Sequence, residues 1–396
     1  VTCFERALGI VLAACAIAAG WPAAATAQSG APRPHIVYIL SDDQGWKDVG
    51  FHGSDIRTPT LDQLAQTGVR LAQFYAQPMC TPSRAALMTG RYPHRYGLQT
   101  LVIPSAGTYG LPTDEWLLPQ ALQAAGYRTA IIGKWHLGHA DRKYWPRQRG
   151  FDYQYGPLLG EIDYYKHSAH GTRDWFRNNK LVKEEGYVTE LLGRDAVRLI
   201  ERHDPATPLF IYLAFTAPHS PYQAPKAYLD QCAHIADPSR RAYAAMITAM
   251  DSEIARVLRA LEKRGMRENT LVVFQSDNGG PRSAKFTGEV DMSKSTIPAD
   301  NGPYRDGKAS LYEGGTRLVA LANWPGRINL AQDPGEKNNL ADQNPQKVAE
   351  LQRRIEALAR EAVPPLIFND AMGAVKPALF GSVLLPGDEQ TVQTQP

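Results

Sequence analysis

His35-Ile-Val-Tyr-Ile-Leu40 is an unbroken apolar run, and it ends abruptly at Ser41-Asp42-Asp43. The same grammar recurs three times. Thr129-Ala-Ile-Ile132 gives way to Gly133-Lys134-Trp135-His136, Leu209-Phe-Ile-Tyr-Leu-Ala-Phe215 to Thr216-Ala-Pro-His219, and Leu271-Val-Val-Phe274 to Gln275-Ser276-Asp277-Asn278. A run that is apolar on both faces suits a strand covered on both sides, the situation of a parallel sheet between helices. The stretches 60–67, 117–125, 188–202 and 241–264 are amphipathic and serve as the crossover helices. The expected fold class is α/β: a large mixed, mostly parallel sheet flanked by helices. In open sheets of this kind ligands gather beyond the carboxyl ends of the strands, where all four polar endings would meet.

The 396 residues are enough for one large domain, or a main domain with a smaller lobe. The formal charge of +3 is spread along the chain with no basic block, which argues against a nucleic-acid partner. The first 27 residues stand apart. Arg6, an apolar stretch over 7–20 and the small residues Ala25-Thr26-Ala27 read as a secretory signal peptide, implying an exported, periplasmic or secreted protein. Cys15 in Leu12-Ala13-Ala14-Cys15 resembles a lipobox and offers a lipid anchor as the alternative. No later segment is long and apolar enough to span a membrane. Beyond the leader only Cys80 and Cys232 remain, and in an oxidising compartment such a pair reads as a disulfide, or Cys80 as a buried thiol.

Asp42-Asp43 and Asp277-Asn278 place hard oxygen donors at two strand ends. That donor type suits Ca²⁺ or Mg²⁺ better than zinc, and adjacent carboxylates repel unless a cation or a proton offsets them. The plain alternative is that both pairs cap ordinary turns.

Cys80-Thr81-Pro82-Ser83-Arg84, continued by Ala85-Ala-Leu-Met-Thr-Gly90-Arg91-Tyr92-Pro93, resembles the signature of the formylglycine-dependent sulfatases of the Cys type. The resemblance extends over 34–328. The segments Gly45-Trp-Lys-Asp-Val-Gly-Phe-His-Gly-Ser54, Gly133-Lys-Trp-His-Leu-Gly138 and Tyr312-Glu-Gly-Gly315 look like the arylsulfatase B branch. It implies an alkaline phosphatase/sulfatase-like fold and hydrolysis of aryl or carbohydrate sulfate esters, an N-acetylgalactosamine 4-sulfate among them. It further implies that a formylglycine-generating maturation enzyme oxidises Cys80, and that Asp42, Asp43, Asp277, Asn278 and the modified Cys80 hold Ca²⁺. By the same resemblance Arg84 stabilises the formylglycine hydrate and Lys134 and Lys308 hold the sulfate oxygens. His136 partners the formylglycine hydroxyls, and His219 is the general acid at the leaving oxygen. The chemistry needs these types: an aldehyde hydrate attacks sulfur with one hydroxyl and releases sulfate with the other, while cationic groups offset the transition-state charge. Of the remaining histidines, His94 and His170 are the two expected near the substrate mouth. Two other functions compete: a phosphonate or phosphate-ester hydrolase of the same superfamily, and a non-catalytic binder of calcium or glycan.

The chain departs from the family pattern after Trp324-Pro-Gly-Arg-Ile328. A segment that resembles a late turn of the family, Asp333-Pro-Gly-Glu-Lys-Asn-Asn-Leu-Ala341, follows almost at once. The expected organisation is a leader over 1–27, a catalytic domain over 28–328 and, over 329–396, a truncated small C-terminal lobe with a helix near 345–362.

Overall fold

Alternate residues of one strand enter two different cores. In the computed structural model, which describes residues 33–282 and 297–327, Phe210, Tyr212 and Ala214 pack with one apolar cluster, and Ile211 and Leu213 with another. Both faces are dry, so every position of this strand is apolar and fully buried. The leader, the C-terminal lobe and the helix near 345–362 lie outside the described residues.

The main sheet has nine strands. In chain order, the strands are β1 (His35–Ser41), β2 (Val69–Arg70), β3 (Arg128–Gly133), β4 (Tyr153–Gly156), β5 (Ser168–Ala169), β6 (Thr172–Arg173), β7 (Phe176–Arg177), β8 (Lys180–Leu181), β9 (Leu209–Ala214), β10 (Thr270–Ser276) and β11 (Ala320–Asn323). The sheet order is β2-β11-β10-β1-β9-β3-β4-β7-β8, with β5 and β6 forming a separate hairpin. The four polar-ended strands are the contiguous parallel centre, β10-β1-β9-β3, and β4 extends it in parallel. Antiparallel β11 and β2 close one edge and β7 and β8 the other. The sheet is mixed and mostly parallel, as the pattern of runs implies.

Helices α1 (Pro59–Gln66), α4 (Val188–Arg202) and α6 (Pro238–Lys263) supply residues such as Leu61, Leu192 and Ile247 to the cluster that holds Ile211 and Val272. Helices α2 (Cys80–Thr89) and α3 (Leu118–Ala124) border the opposite cluster, into which Ala85, Met88 and Leu117 project beside Phe210. Helix α4 has the expected bounds. α6 starts at Pro238 because Pro is favoured in the first helical turn and the Asp237 carboxylate accepts the Arg240 N–H at 2.7 Å. Helices α2, α5 (Lys226–Gln231) and α7 (Glu313–Thr316) lack a periodic apolar signature and were not expected. Among the described residues no helix is long and apolar enough to cross a membrane.

Candidate active site

All four polar endings lie at the same rim of the sheet, because the four strands run in parallel. At β1 the chain leaves Ser41 and turns sharply, Asp43 adopting a left-handed backbone (φ 64°) that non-glycine residues seldom take. Its N–H donates to Asp277 Oδ1 at 3.1 Å, tying the end of β1 to that of β10. This turn sets both carboxylates toward one point, and there α2 begins. The Cys80 thiol faces Asp42 Oδ1 at 3.6 Å and Asp43 Oδ1 at 4.0 Å. Cys80 and Cys232 are both free, so the disulfide alternative is not what the structure holds.

Cations surround this carboxylate group. Arg84, one turn along α2, donates through Nε and Nη2 to Asp277 Oδ2 at 3.1 and 2.8 Å, and through Nη1 to the Lys134 carbonyl at 3.2 Å. Lys134 Nζ meets Asp42 Oδ2 at 2.5 Å and Lys308 Nζ meets Asp43 Oδ2 at 2.7 Å. Three carboxylates and three cationic side chains, nearly all fully buried, therefore cancel within one cluster. Burial works against Asp42 ionising, yet Lys134, His219 and Arg84 hold its carboxyl below the ordinary range. Burial likewise opposes the charge on Lys308, and Asp43 outweighs it, so the ammonium is held above its usual range. Burial pushes the Cys80 thiol well up, against the pull of Lys134 and Lys308. An unmodified thiol here stays protonated and is a poor nucleophile.

The histidines face the same point. His219 Nδ1 donates to the Ser220 carbonyl at 2.8 Å, leaving Nε2 at 3.3 Å from Lys308 Nζ and 3.5 Å from Asp43 Oδ2. His136 Nε2 donates to the Ile103 carbonyl at 3.1 Å, so its tautomer leaves Nδ1 unprotonated, buried and without a partner. Burial, then Lys134 and Arg84, depress the basicity of His136 strongly.

Could a cation be held here? Asp42, Asp43, Cys80 and His219 offer ligand atoms within 4.8 Å of one another. Asn278 donates through Nδ2 to Asp43 Oδ1 at 2.7 Å, while its Oδ1 is buried with no hydrogen-bond partner. A buried orphan carbonyl beside two carboxylates is the donor set of a hard divalent cation. Asp277 is not part of that four-residue cluster and touches it through the Asp43 N–H and Arg84.

Above the cluster opens a cleft of about 270 Å³ lined by Cys80, His136, His219 and Lys308, with Ile103 and Leu159 among its apolar wall. Arg84, Lys134, Asp277 and Asn278 lie beneath it, without exposed surface. His170 does line the cleft; His94 does not, stacking on Tyr92 instead at 5.5 Å. A second cavity of about 390 Å³ lies at the amino ends of β3 and β9, remote from the polar rim.

Several supporting residues carry no signal in the sequence. Thr81 Oγ1 donates to the His136 carbonyl at 3.0 Å and accepts the Ile103 N–H at 3.1 Å, pinning the start of α2 to both. The Tyr164 hydroxyl lies at 2.6 Å from the Thr216 carbonyl and 2.9 Å from that of His219, bracing the turn that presents the imidazole. Glycines near Lys308 are explained by space. A Cβ on Gly307 would lie 2.1 Å from the Gly280 carbonyl oxygen, and one on Gly279 only 1.8 Å from that of Gly314. Backbones approach that closely only without a side chain.

The family described as Sulfatase matches residues 34–344. Arylsulfatase J of Mus musculus is 40% identical over 312 residues, covering 77% of this chain and 50% of that protein. The N-acetylgalactosamine-6-sulfatase of Homo sapiens is 34% identical over 336 residues, covering 79% and 61%. The chain thus spans about half to two-thirds of the length of these relatives. The crystal structure of Ps i-CgsB in complex with k-i-k-neocarrahexaose superposes with a TM-score of 0.74 at 29% identity, covering 88% of this chain and 97% of that one.

Proposed function

The chain belongs to the sulfatase family, and from that membership we propose that it hydrolyses sulfate esters in the cleft above Cys80, which a maturation enzyme converts to formylglycine. The observation that carries this reading is the meeting of the Cys80 side chain with Asp42 and Asp43 at 3.6 and 4.0 Å, ringed by Arg84, Lys134 and Lys308. The donor set favours a hard dication, Ca²⁺, held by Asp42, Asp43, Asp277, Asn278 and the modified side chain at position 80. Together the cation and the aldehyde hydrate would supply positive charge and a hydroxyl nucleophile at one place.

The chain's own residues do the rest. The buried charges cancel without a metal, so a dication leaves the cluster positive and suited to an anionic ester. Lys134 and Lys308 hold sulfate oxygens, and Arg84 holds the hydrate. His136 Nδ1, an unpartnered acceptor, takes a hydrogen bond from the nucleophile's hydroxyl. His219, when its ring carries a second proton on Nε2 while Nδ1 still donates to the Ser220 carbonyl, supplies that Nε2 proton to the alcohol oxygen as its bond to sulfur breaks. The relatives' substrates make a sulfated carbohydrate, such as an N-acetylgalactosamine sulfate, the favoured class. The leader-like 1–27 favours reaction outside the cytoplasm.

The test is the full chain produced together with a formylglycine-generating enzyme. Mass spectrometry of the tryptic peptide 71–84 should show an aldehyde at position 80, and the protein should release the phenol from a chromogenic aryl sulfate. Cys80→Ala should abolish release. Faster turnover of the matching phosphate diester would move the assignment to phosphorus esters. A matured protein with no turnover of either, but with calcium-dependent stability, would make it a binder.

A further inference from the structure

One wall of the cleft carries polar chemistry with no place in the sulfate-handling machinery. Glu161 and His170 both line it, and His170 Nε2 lies 3.2 Å from Glu161 Oε1. The same cleft is also lined by the apolar Val102, Ile103, Pro104 and Leu159, with Ser105 beside them.

The backbone holds this pair with care. His170 and Gly171 form the two-residue turn of the β5–β6 hairpin, and both have positive φ (48° and 77°). Such a turn favours Asn or Asp followed by Gly, and histidine, which also tolerates positive φ, is the less common choice in the first position. The hairpin is anchored below its tip: the Asp163 N–H donates to the Ser168 carbonyl at 2.8 Å, and the Asp174 N–H to that of His167 at 3.0 Å. His167 itself stacks on Trp175 at 4.9 Å. On the Glu161 side, the Asp174 carboxylate accepts the Leu158 and Leu159 N–H groups at 3.1 and 2.8 Å. Hairpin and loop are thus tied to one another through Asp174, which fixes the pair as a unit.

We propose that Glu161 and His170 are specificity residues that recognise hydroxyl groups of a carbohydrate leaving group attached to the sulfate. This rests on the sulfate-ester reading of the cleft. A carboxylate and an imidazole together offer acceptors and a donor for neighbouring hydroxyls, while the apolar wall suits the flat carbon face of a sugar ring. A simple aryl group has nothing for the pair to bind. The carboxylate also repels a second anionic substituent at that place, so the sugar beside the scissile sulfate is a neutral one.

The experiment compares kcat/KM for a monosulfated N-acetylhexosamine with that for a chromogenic aryl sulfate, in matured wild-type protein and in Glu161→Gln and His170→Asn. Asparagine suits the left-handed turn at least as well as histidine, so His170→Asn should keep or raise thermal stability. A charged hydrogen bond lost in the bound state predicts a fall of about 10- to 100-fold in the sugar-to-aryl ratio, read mainly in KM for the sugar. Glu161→Gln should also narrow any preference for the monosulfated sugar over a disulfated one. If the wild type hydrolyses both substrates and the ratio stays put in both variants, the specificity assignment is overturned while the hydrolase reading stands. Release of sulfate from neither substrate by the matured wild type defeats the hydrolase reading and this one with it.

Discussion

Arg84 binds three separate parts of the site, and no other side chain could replace it without loss. Its guanidinium reaches Asp277, the Asp42 carboxylate at 3.4 Å and the Lys134 carbonyl, all without solvent contact. Burial opposes its charge, and Asp277 more than offsets that, so the group stays ionised. Removing one partner of a buried pair strands the other, at a cost of about 3–5 kcal/mol. Arg84→Met should lower the stability found by urea unfolding by that amount, in addition to ending activity; an unmoved midpoint would mean that Asp277 is balanced by other groups. At this scale the sequence is informative where residue type is dictated by chemistry. Asp42, Asp43, Cys80, Arg84, Lys134, His136, His219, Asp277, Asn278 and Lys308 stand in ordered motifs, and the structure brings them to one rim. Thr81, Tyr164 and Glu161 could not be read in the same way. The contacts of Thr81 and Tyr164 span 22 to 55 positions in the chain, Glu161 meets His170 across a nine-residue separation, and no local pattern marks any of the three.

Whole elements were readable to the extent that burial is written on both faces. The runs that become β1, β3, β9 and β10 are apolar throughout because helices cover each side, and α4 shows its stripe without interruption. By contrast, β2, β7 and β8 have two residues each and exist only because a neighbour pairs with them. Helix α2 buries Cys80, Thr81, Pro82, Ser83, Arg84 and Ala85 in succession, so it has no polar face to give it away. Capping can be equally remote. The start of α1 is satisfied from α6, where Asp251 accepts the Thr60 and Leu61 N–H groups at 3.0 and 2.9 Å. Burial raises the Asp251 carboxyl to about 6, with Asp62 of α1 adding repulsion and the two N–H groups working against the rise. A raised carboxyl binds its proton more tightly in the folded state, so its ionisation costs stability as pH rises from about 4 to above 6. Asp251→Asn loses an acceptor and should destabilise, but the asparagine cannot ionise. Its penalty should therefore shrink by roughly 2 kcal/mol between about pH 4.5 and 7.5. Melting curves of both proteins across that range test the sign: a penalty that grows with pH would show that the two hydrogen bonds prevail over burial.

The site belongs to the molecule as a whole more than to any one element. Asp43 and Lys308 are 265 positions apart and Arg84 and Asp277 are 193 apart, yet each pair is in direct contact. The centre of the sheet is also out of sequence order, β10-β1-β9-β3, so none of its neighbours are joined by a short connection. No fragment can therefore present the proposed calcium donors together, and the cation should bind the folded chain alone. Linkage then makes a quantitative demand: above saturation, each tenfold rise in free calcium should add about 1.4 kcal/mol to the free energy of global unfolding. Urea midpoints should climb linearly with the logarithm of calcium, with an unchanged denaturant slope and the same shift by tryptophan fluorescence and far-ultraviolet dichroism. Chelation should bring the midpoint down to a calcium-independent floor, and Asp43→Asn or Asp277→Asn should lie near such a floor at every concentration. If calcium moved only one of the two probes, the cation would be stabilising a local segment. If it moved neither, the charges of Lys134 and Lys308 would be sufficient for these carboxylates, and calcium would have no place at the rim.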